Sequence, residues 1–385
     1  MANHGTSHEF VIVGGSLAGI AAAIRLKQLG YDPLVLDKAN FPRPKLCGEF
    51  LGPDAFSPLH KLGLYDQIRE HAWQPVEKTV FYGMGKHQLE IDLKWMDPHQ
   101  PYGWAISRHT LDSLLVQHAR RLGVTVLESI RVLPEIQPCQ NGFVLKLIQP
   151  GQCDPVLLNA RYLIDASGRH GGLFLSGSKY SGSHGRSDHL GISVHVEKPT
   201  GIPDCKTLNM YFFPGGYGGL LPLSETRMNL CMLISKKLAK SVQLPYESLC
   251  QKTIAQNPYA RELLEGTRAE SGFETTANLN LNLVSLRSQD LIRVGDALIT
   301  MDPFTGSGMA VALETGVLAA ETFAKNTSRT YEDIRNSYYL AYGQRFGQKL
   351  RLLPWFRPIL SSSAIHHWAM PLLKPFLPRL ARTFR

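Results

Sequence analysis

The chain has 385 residues, enough for about two domains at ~150 residues each. Its 44% hydrophobic and 19% charged residues are those of a globular protein with a sizeable core. A net charge of +9 admits anionic partners, but no lysine/arginine block, zinc knuckle or aromatic RNA-binding motif is present, which argues against nucleic acid.

Six cysteines (Cys47, Cys139, Cys153, Cys205, Cys231, Cys250) form no C-x-x-C pair, so neither a metal site nor a disulfide framework is expected. That usage fits the reducing cytoplasm. The N-terminal apolar stretch lacks the basic flank of a signal peptide, and no apolar run reaches the ~18 residues of a spanning helix.

Phe10–Val13 is a short apolar run suited to a buried strand. The glycine turn Gly14-Gly15-Ser16-Leu17-Ala18-Gly19 follows, then a small-residue helix to Leu29 stopped by Gly30. A second strand, Leu34–Leu36, ends on Asp37, with Lys38 after it. A strand–turn–helix–strand unit closed by an acid is the dinucleotide-binding pattern. A pyrophosphate would meet the helix N-terminus, Gly14 allows the tight turn, Gly19 the close helix–strand packing, and Asp37 accepts from a ribose. Ser16 stands where the fingerprint has its middle glycine; its hydroxyl can still face a phosphate.

Phe41–Leu51 contains two prolines and a glycine and reads as a shaped loop, with Arg43 and Lys45 bringing positive charge near the phosphate site. Pro53–Ile68 reads as a helix and Thr79–Leu93 as a hairpin. A helix follows Arg108, with Leu111, Leu114, Leu115, Ala119 and Leu122 on one face. A cation at a helix start is poorly placed unless it meets an anion. Val124–Leu127, two strands around Asn141-Gly142, and Val156–Ile164 come next, the last ending on Asp165. Asp165 reads either as a second nucleotide-facing acid or as a turn cap.

Residues 170 to about 280 are mostly strand-like and read as an antiparallel substrate sheet inserted into the nucleotide unit. Tyr211, Phe213, Gly216 and Tyr217 are its substrate-side candidates, although a plain hairpin turn also explains the glycines of Phe213–Leu220. A strand then ends on Gly295-Asp296. The loop Pro303-Phe304-Thr305-Gly306-Ser307-Gly308-Met309 feeds a helix to about Lys325. Asp296 repeats the strand-end acid, the helix start at Gly308–Met309 can offer N–H groups to an anionic edge, and Pro303 and Phe304 are substrate-side candidates. The C-terminal stretch from Arg345 mixes apolar, aromatic and basic residues. It reads as a helical cap on the substrate pocket or as a peripheral membrane contact.

Three stretches carry a family resemblance. Arg43–Glu49 matches R-x-K-x-C-G-E, Tyr102–Arg108 matches Y-x-W-x-x-x-R, and Gly295–Gly308 matches G-D…P-x-x-G-x-G. Together they resemble the FAD-dependent p-hydroxybenzoate hydroxylase-like superfamily, especially its geranylgeranyl-reductase-like branch, over roughly residues 9–330. The resemblance implies an α/β fold: a Rossmann-like FAD-binding domain (1–75, 101–180, 284–330), an inserted antiparallel substrate domain (76–100, 181–283) and a C-terminal helical cap (331–385). It implies FAD with NAD(P)H as transient reductant, and a small hydrophobic polyketide-, isoprenoid- or lipid-like substrate. It places Cys47 beside the flavin, against the plain reading of a small buried residue. It places Arg108 on flavin phosphate or ribityl, against a surface arginine, and Asp165 at the flavin and nicotinamide sites. With Gly14, Ser16, Ala18, Gly19, Asp37, Lys38, Arg43, Gly295, Asp296, Gly306, Gly308 and Met309, these residues form the implied cofactor site. The resemblance implies monooxygenation through a flavin C4a-hydroperoxide, the favoured chemistry, or C=C reduction by hydride from flavin N5, with flavin halogenation and flavin binding without catalysis as lesser alternatives. The W-x-W-x-I-P motif of flavin halogenases is absent, and Leu298 stands where aromatic monooxygenases carry a histidine.

Overall fold

The computed structural model describes residues 6–43, 45–85, 88–169, 172–177, 189–198, 206–241, 246–270, 272–277, 290–326 and 328–361. The first strand, Ser7–Val13, lies in the middle of a nine-stranded sheet. It pairs in parallel with Pro33–Leu36 on one side and with Val156–Asp165 on the other. Thr125–Leu127 extends the sheet beyond Pro33–Leu36, and Ile292–Arg293 pairs with the end of Val156–Asp165. These short apolar strands are buried on both faces, as a parallel sheet covered by helices requires.

Two helices cover the face that matters for the site. Leu17–Gln28 buries nine of its twelve residues because it is sandwiched between the sheet and the helix Gly308–Lys325. Small residues permit that contact: a Cβ on Gly316 would stand 2.2 Å from Ala18 O, and Ala21 and Ala22 complete the seam. The run 53–68 is not one helix. It is a 3₁₀ turn followed by Phe56–Leu62 and Tyr65–His71, because Gly63 adopts a left-handed cap at φ +71°.

The second sheet has seven strands in the order 274–277, 189–197, 227–235, 216–222, 207–213, 78–82, 88–92. All neighbours are antiparallel except Thr207–Phe213 with Lys78–Tyr82. Its back face packs on Leu249, Ile254 and Ala260 of a short helical segment; its front face turns toward the nucleotide unit. Pro214 and Gly215 (φ +85°) form the hairpin turn between two of its strands, whereas Gly216, Gly218 and Gly219 lie within the strand that follows.

A helix runs over Tyr331–Ser361. Its first turns pack on the nucleotide unit: Tyr331 donates to Leu163 O, Tyr338 to Arg293 O and Tyr339 to Leu291 O. Tyr342 and Phe346 extend the same core. Residues 331–346 thus buttress the nucleotide unit. Residues 362–385 lie outside the described residues. Among the described residues no helix is long and apolar enough to cross a membrane.

Candidate active site

The glycine turn sits where the sequence motifs converge. Gly14 has φ +109°, and a Cβ there would lie 2.1 Å from Ala166 O; one on Gly19 would lie 1.8 Å from Gly14 O. Both glycines act by letting backbone touch backbone. Asp37 is buried. Its Oδ2 accepts from Gly15 N at 2.6 Å and its Oδ1 from Ala39 N at 2.8 Å, while Arg43 lies 3.8 Å away. Lys38 points into solvent off the cavity wall.

Gly295 joins the far motif to this turn. It has φ +57°, and a Cβ there would stand 2.8 Å from the Ala18 Cβ. Residues some 280 positions apart therefore share one wall. Asp296, Gly306, Gly308 and Met309 line the same cavity as Ser16, Ala18, Lys45, Cys47 and Arg108. Gly306, at φ +63°, packs on Phe50 of the Cys47 loop.

The cavity's nucleotide end is cationic. The Ser16 side chain makes no capping hydrogen bond to the helix it precedes. Its Oγ accepts from Lys45 Nζ and from an Arg108 guanidinium nitrogen, each at 3.0 Å. Arg108 is buried and paired with Asp112 at 2.8 Å. Burial acts to lower its pKa, but Asp112 and then Cys47 outweigh burial and raise it. For Lys45 the upward pull of Asp296 and Asp112 is the smaller one. Burial, then Arg108, push it down to about 8. A buried and a half-buried cation converging on a hydroxyl at a helix N-terminus are what a pyrophosphate would neutralise. The surface-arginine reading of Arg108 fails, because its guanidinium is interior.

Asp165 is not on the cavity wall. It is fully buried, accepts from Ser167 N at 3.0 Å and stands 3.3 Å from Arg293 Nε. Arg293 in turn pairs with Asp290 at 2.7 Å. The acid caps the turn and holds two strand ends together, so its reading as a nucleotide-facing group is corrected.

The opposite wall is the front face of the seven-stranded sheet. Ser193, Cys231, Gly219, Met210 and Phe81 lie side by side in one row across five strands. Tyr217 and Leu233 line the next row with Gly191, and Pro303 and Phe304 close the end. Three small residues, Gly191, Gly219 and Cys231, leave a slot in that floor. The Tyr217 hydroxyl donates to Asp302 Oδ1 at 2.8 Å; burial, then Asp302, raise its pKa well above normal. Burial likewise pushes the Cys231 thiol up, helped by Cys47.

Three of the substrate-side candidates face the wrong way or stand aside. Tyr211 and Phe213 belong to the back-face core, Tyr211 stacking on Tyr82 with ring centroids 4.9 Å apart. Gly216 meets Leu233 O and the Phe213 ring and is off the wall. Side chains alternate along a strand, so Met210 and Phe212 take the front when Tyr211 and Phe213 take the back. Met210, Gly219, Cys231 and Leu233 were missed for that reason; the hydrophobic pattern is apolar on both faces here.

The Cys47 loop is fastened to this sheet. Cys47 O accepts from Asn229 Nδ2 at 2.7 Å and from Ser193 Oγ at 3.2 Å. Cys47 Sγ accepts from Glu49 N at 3.3 Å and lies 3.8 Å from Met309 Sδ. Glu49, quoted in the R-x-K-x-C-G-E motif but given no role by it, is buried and reaches His195 on the sheet at 2.8 Å. Among the described residues no group of three His, Cys, Asp or Glu side chains is arranged to hold a metal ion.

A Rossmann-like unit, an inserted antiparallel sheet and a cationic glycine turn between them define an FAD-binding α/β oxidoreductase. Residues 7–349 match the FAD binding domain family, and the chain belongs to that family, within the p-hydroxybenzoate hydroxylase-like flavoproteins. It is 26% identical over 370 residues to a menaquinone reductase of Mycobacterium tuberculosis, covering 93% of this chain and 86% of that one. Its fold is similar to that of the myxobacterial chondrochloren halogenase (TM-score 0.80, 18% identity, 99% and 91% coverage). It is likewise similar to a geranylgeranyl bacteriochlorophyll reductase-like protein of Thermoplasma acidophilum (TM-score 0.78, 18% identity, 98% and 96% coverage).

Proposed function

We propose that this FAD-dependent oxidoreductase saturates a carbon–carbon double bond in a slender, hydrophobic substrate of isoprenoid or prenylated-quinone type, with NAD(P)H as the source of electrons. The observation that carries this reading is the slot over Gly191, Gly219 and Cys231, walled by Met210, Leu233, Tyr217 and Phe304. Its small and apolar lining suits an apolar chain and offers few polar groups to a polar substrate. The 26% identical menaquinone reductase supports the same substrate class.

In this reading Ser16, Lys45 and Arg108 take the FAD pyrophosphate, Asp296 takes ribityl hydroxyls, and the amides at Gly308–Met309 face the flavin ring. FAD when bound supplies hydride chemistry. The chain's residues orient the two partners and keep water out: the Cys47 loop and Phe304 bracket the slot, and Asn229 and Ser193 hold that loop in place.

Hydroxylation is the second reading, favoured by the Gly14–Gly19 turn, which resembles that of flavin aromatic monooxygenases. One experiment separates the two. FAD-loaded protein is reduced anaerobically with NADPH and offered a prenylated quinone, and the products are reoxidised in air before mass spectrometry. A product two hydrogens heavier supports saturation, because air returns a quinol to the quinone but leaves a saturated bond. An unreduced side chain, with hydroxylated product only when oxygen is admitted, overturns it.

A further inference from the structure

Saturating a double bond needs a hydride on one carbon and a proton on the other. At the cavity wall, one buried carboxyl group is linked through a histidine toward solvent. Glu49 lines the cavity with its side chain only 6% exposed, and its Oε2 meets Nε2 of His195 at 2.8 Å. The His195 side chain is 29% exposed. Glu49 Oε1 accepts from the Arg108 backbone N at 2.8 Å, which fixes the carboxyl plane. Glu49 also holds a left-handed backbone, φ +58°, uncommon for a residue with a side chain. Such conformations persist where surrounding structure enforces them. Here the enforcing contacts are Glu49 N on Cys47 Sγ and the Arg108 and His195 contacts on the carboxyl.

We infer that Glu49 and His195 form a proton relay that feeds the substrate slot from solvent. This inference rests on the C=C reductase reading. The double bond accepts a hydride from the reduced flavin, itself reduced by NAD(P)H, and one carbon gains the hydrogen with its electron pair. The other carbon takes the proton of the Glu49 carboxyl. The resulting carboxylate takes a proton from His195 Nε2, and His195 recovers one from water. Two electrons and one hydrogen nucleus come from the reductant, and one proton comes from solvent.

Among the described residues, charged and titratable groups approach the pair from several elements, including Arg169, which lines the same cavity and acts with Glu49 on Cys231. Arg108 and Cys47 adjoin Glu49 from the helix and the loop, and Arg108 carries its own partner, Asp112. On the sheet, neutral Asn229 stands opposite His195, with Cys231 on the same strand. The Arg227–Glu270 ion pair closes the outer side, where Glu270 N donates to His195 O. A merely structural pair would also pin the Cys47 loop to the sheet, so the test must read protons.

FAD-loaded wild type, Glu49→Gln and His195→Ala are reduced anaerobically and mixed with a prenylated quinone in single-turnover experiments from pH 5.5 to 9. Glu49→Gln keeps an acceptor for Arg108 N, so loss of the loop's geometry is not expected. Both variants should bind FAD and accept electrons from NADPH at wild-type rates. Formation of the saturated product should slow at least tenfold in each, with a larger solvent deuterium isotope effect. Added imidazole should restore much of the rate to His195→Ala, following the imidazolium fraction as pH changes, and none to Glu49→Gln. Wild type that gives no saturated product overturns the reductase reading. Wild type that turns over, with variants matching it or a His195→Ala defect blind to imidazole, overturns the relay and leaves that reading intact.

Discussion

Lys45 Nζ and Ser16 Oγ meet at 3.0 Å, at the N-terminus of the helix that opens the nucleotide unit. The serine replaces a fingerprint glycine, and its hydroxyl is what gathers Lys45 and Arg108 into one place. Hydrogen bonds to charged groups are worth about 1.5–3 kcal/mol each. Lys45→Met should therefore weaken FAD binding by roughly 10- to 100-fold, by that range converted at 1.4 kcal/mol per decade. Titration of apoprotein with FAD, followed by flavin fluorescence, measures it; unchanged affinity would sink the assignment of Lys45 to the pyrophosphate.

The same lysine makes FAD binding depend on pH. In the free protein its pKa is lowered to about 8, by burial first and by Arg108 next. An adjacent pyrophosphate favours the charged form and raises that value again. Below pH 8 the amine is protonated in free and bound protein alike, so affinity does not change with this group. Above pH 8 the free protein has lost the proton that the complex keeps, and affinity falls, by at most tenfold per pH unit. The dissociation constant should rise between pH 8 and 9.5, and Lys45→Met should abolish that rise. The apoprotein's stability moves oppositely: between pH 8 and the ordinary lysine value the unfolded chain binds more protons, so this group adds stability as pH climbs.

Asp165 and Arg293 separate structure from cofactor binding. Removing one partner of a buried ion pair costs about 3–5 kcal/mol, because the other charge stays buried. Asp165→Ala should lower unfolding free energy by roughly that amount, measured by denaturant titration. FAD affinity of the folded protein should stay within about twofold, since lost stability and lost contact are different quantities. A large affinity loss in folded protein would restore Asp165 to the cofactor site.

Gly219 tests the slot. A Cβ there would stand 2.9 Å from Met210 Sδ, the movable end of a flexible side chain, so a small substitution is tolerated by the fold. Gly219→Val should retain FAD and accept electrons from NADPH, but slow prenylated-quinone turnover at least tenfold by filling the floor. Turnover at the wild-type rate would remove Gly219 from the substrate wall. By contrast, Gly14→Ala should fail to fold, because φ +109° and a 2.1 Å approach to Ala166 O leave no room for a methyl group.

Some of this was legible in the residues. Short apolar strands, a glycine turn and an acid at a strand end specify a nucleotide unit, because each is a local rule about backbone room and burial. The later Gly295–Gly308 stretch was legible on the same grounds. The helix break at Gly63 was missed because the surrounding periodicity continues across it, and only the left-handed backbone stops the helix.

The residues by themselves determined the fold class, the position of the glycine turn and the family to which the chain belongs. Those follow from patterns within about thirty residues, where spacing sets geometry. Which face of each strand lines the slot was decided only in the tertiary structure, because Leu208–Phe213 is largely apolar on both faces and alternation leaves its parity open. The same holds for Asp165, whose partner Arg293 is distant in sequence, and for Glu49 and His195, which are 146 residues apart and meet because the loop is folded against the sheet. Contacts between distant segments depend on how whole elements pack, and packing is what no local pattern encodes.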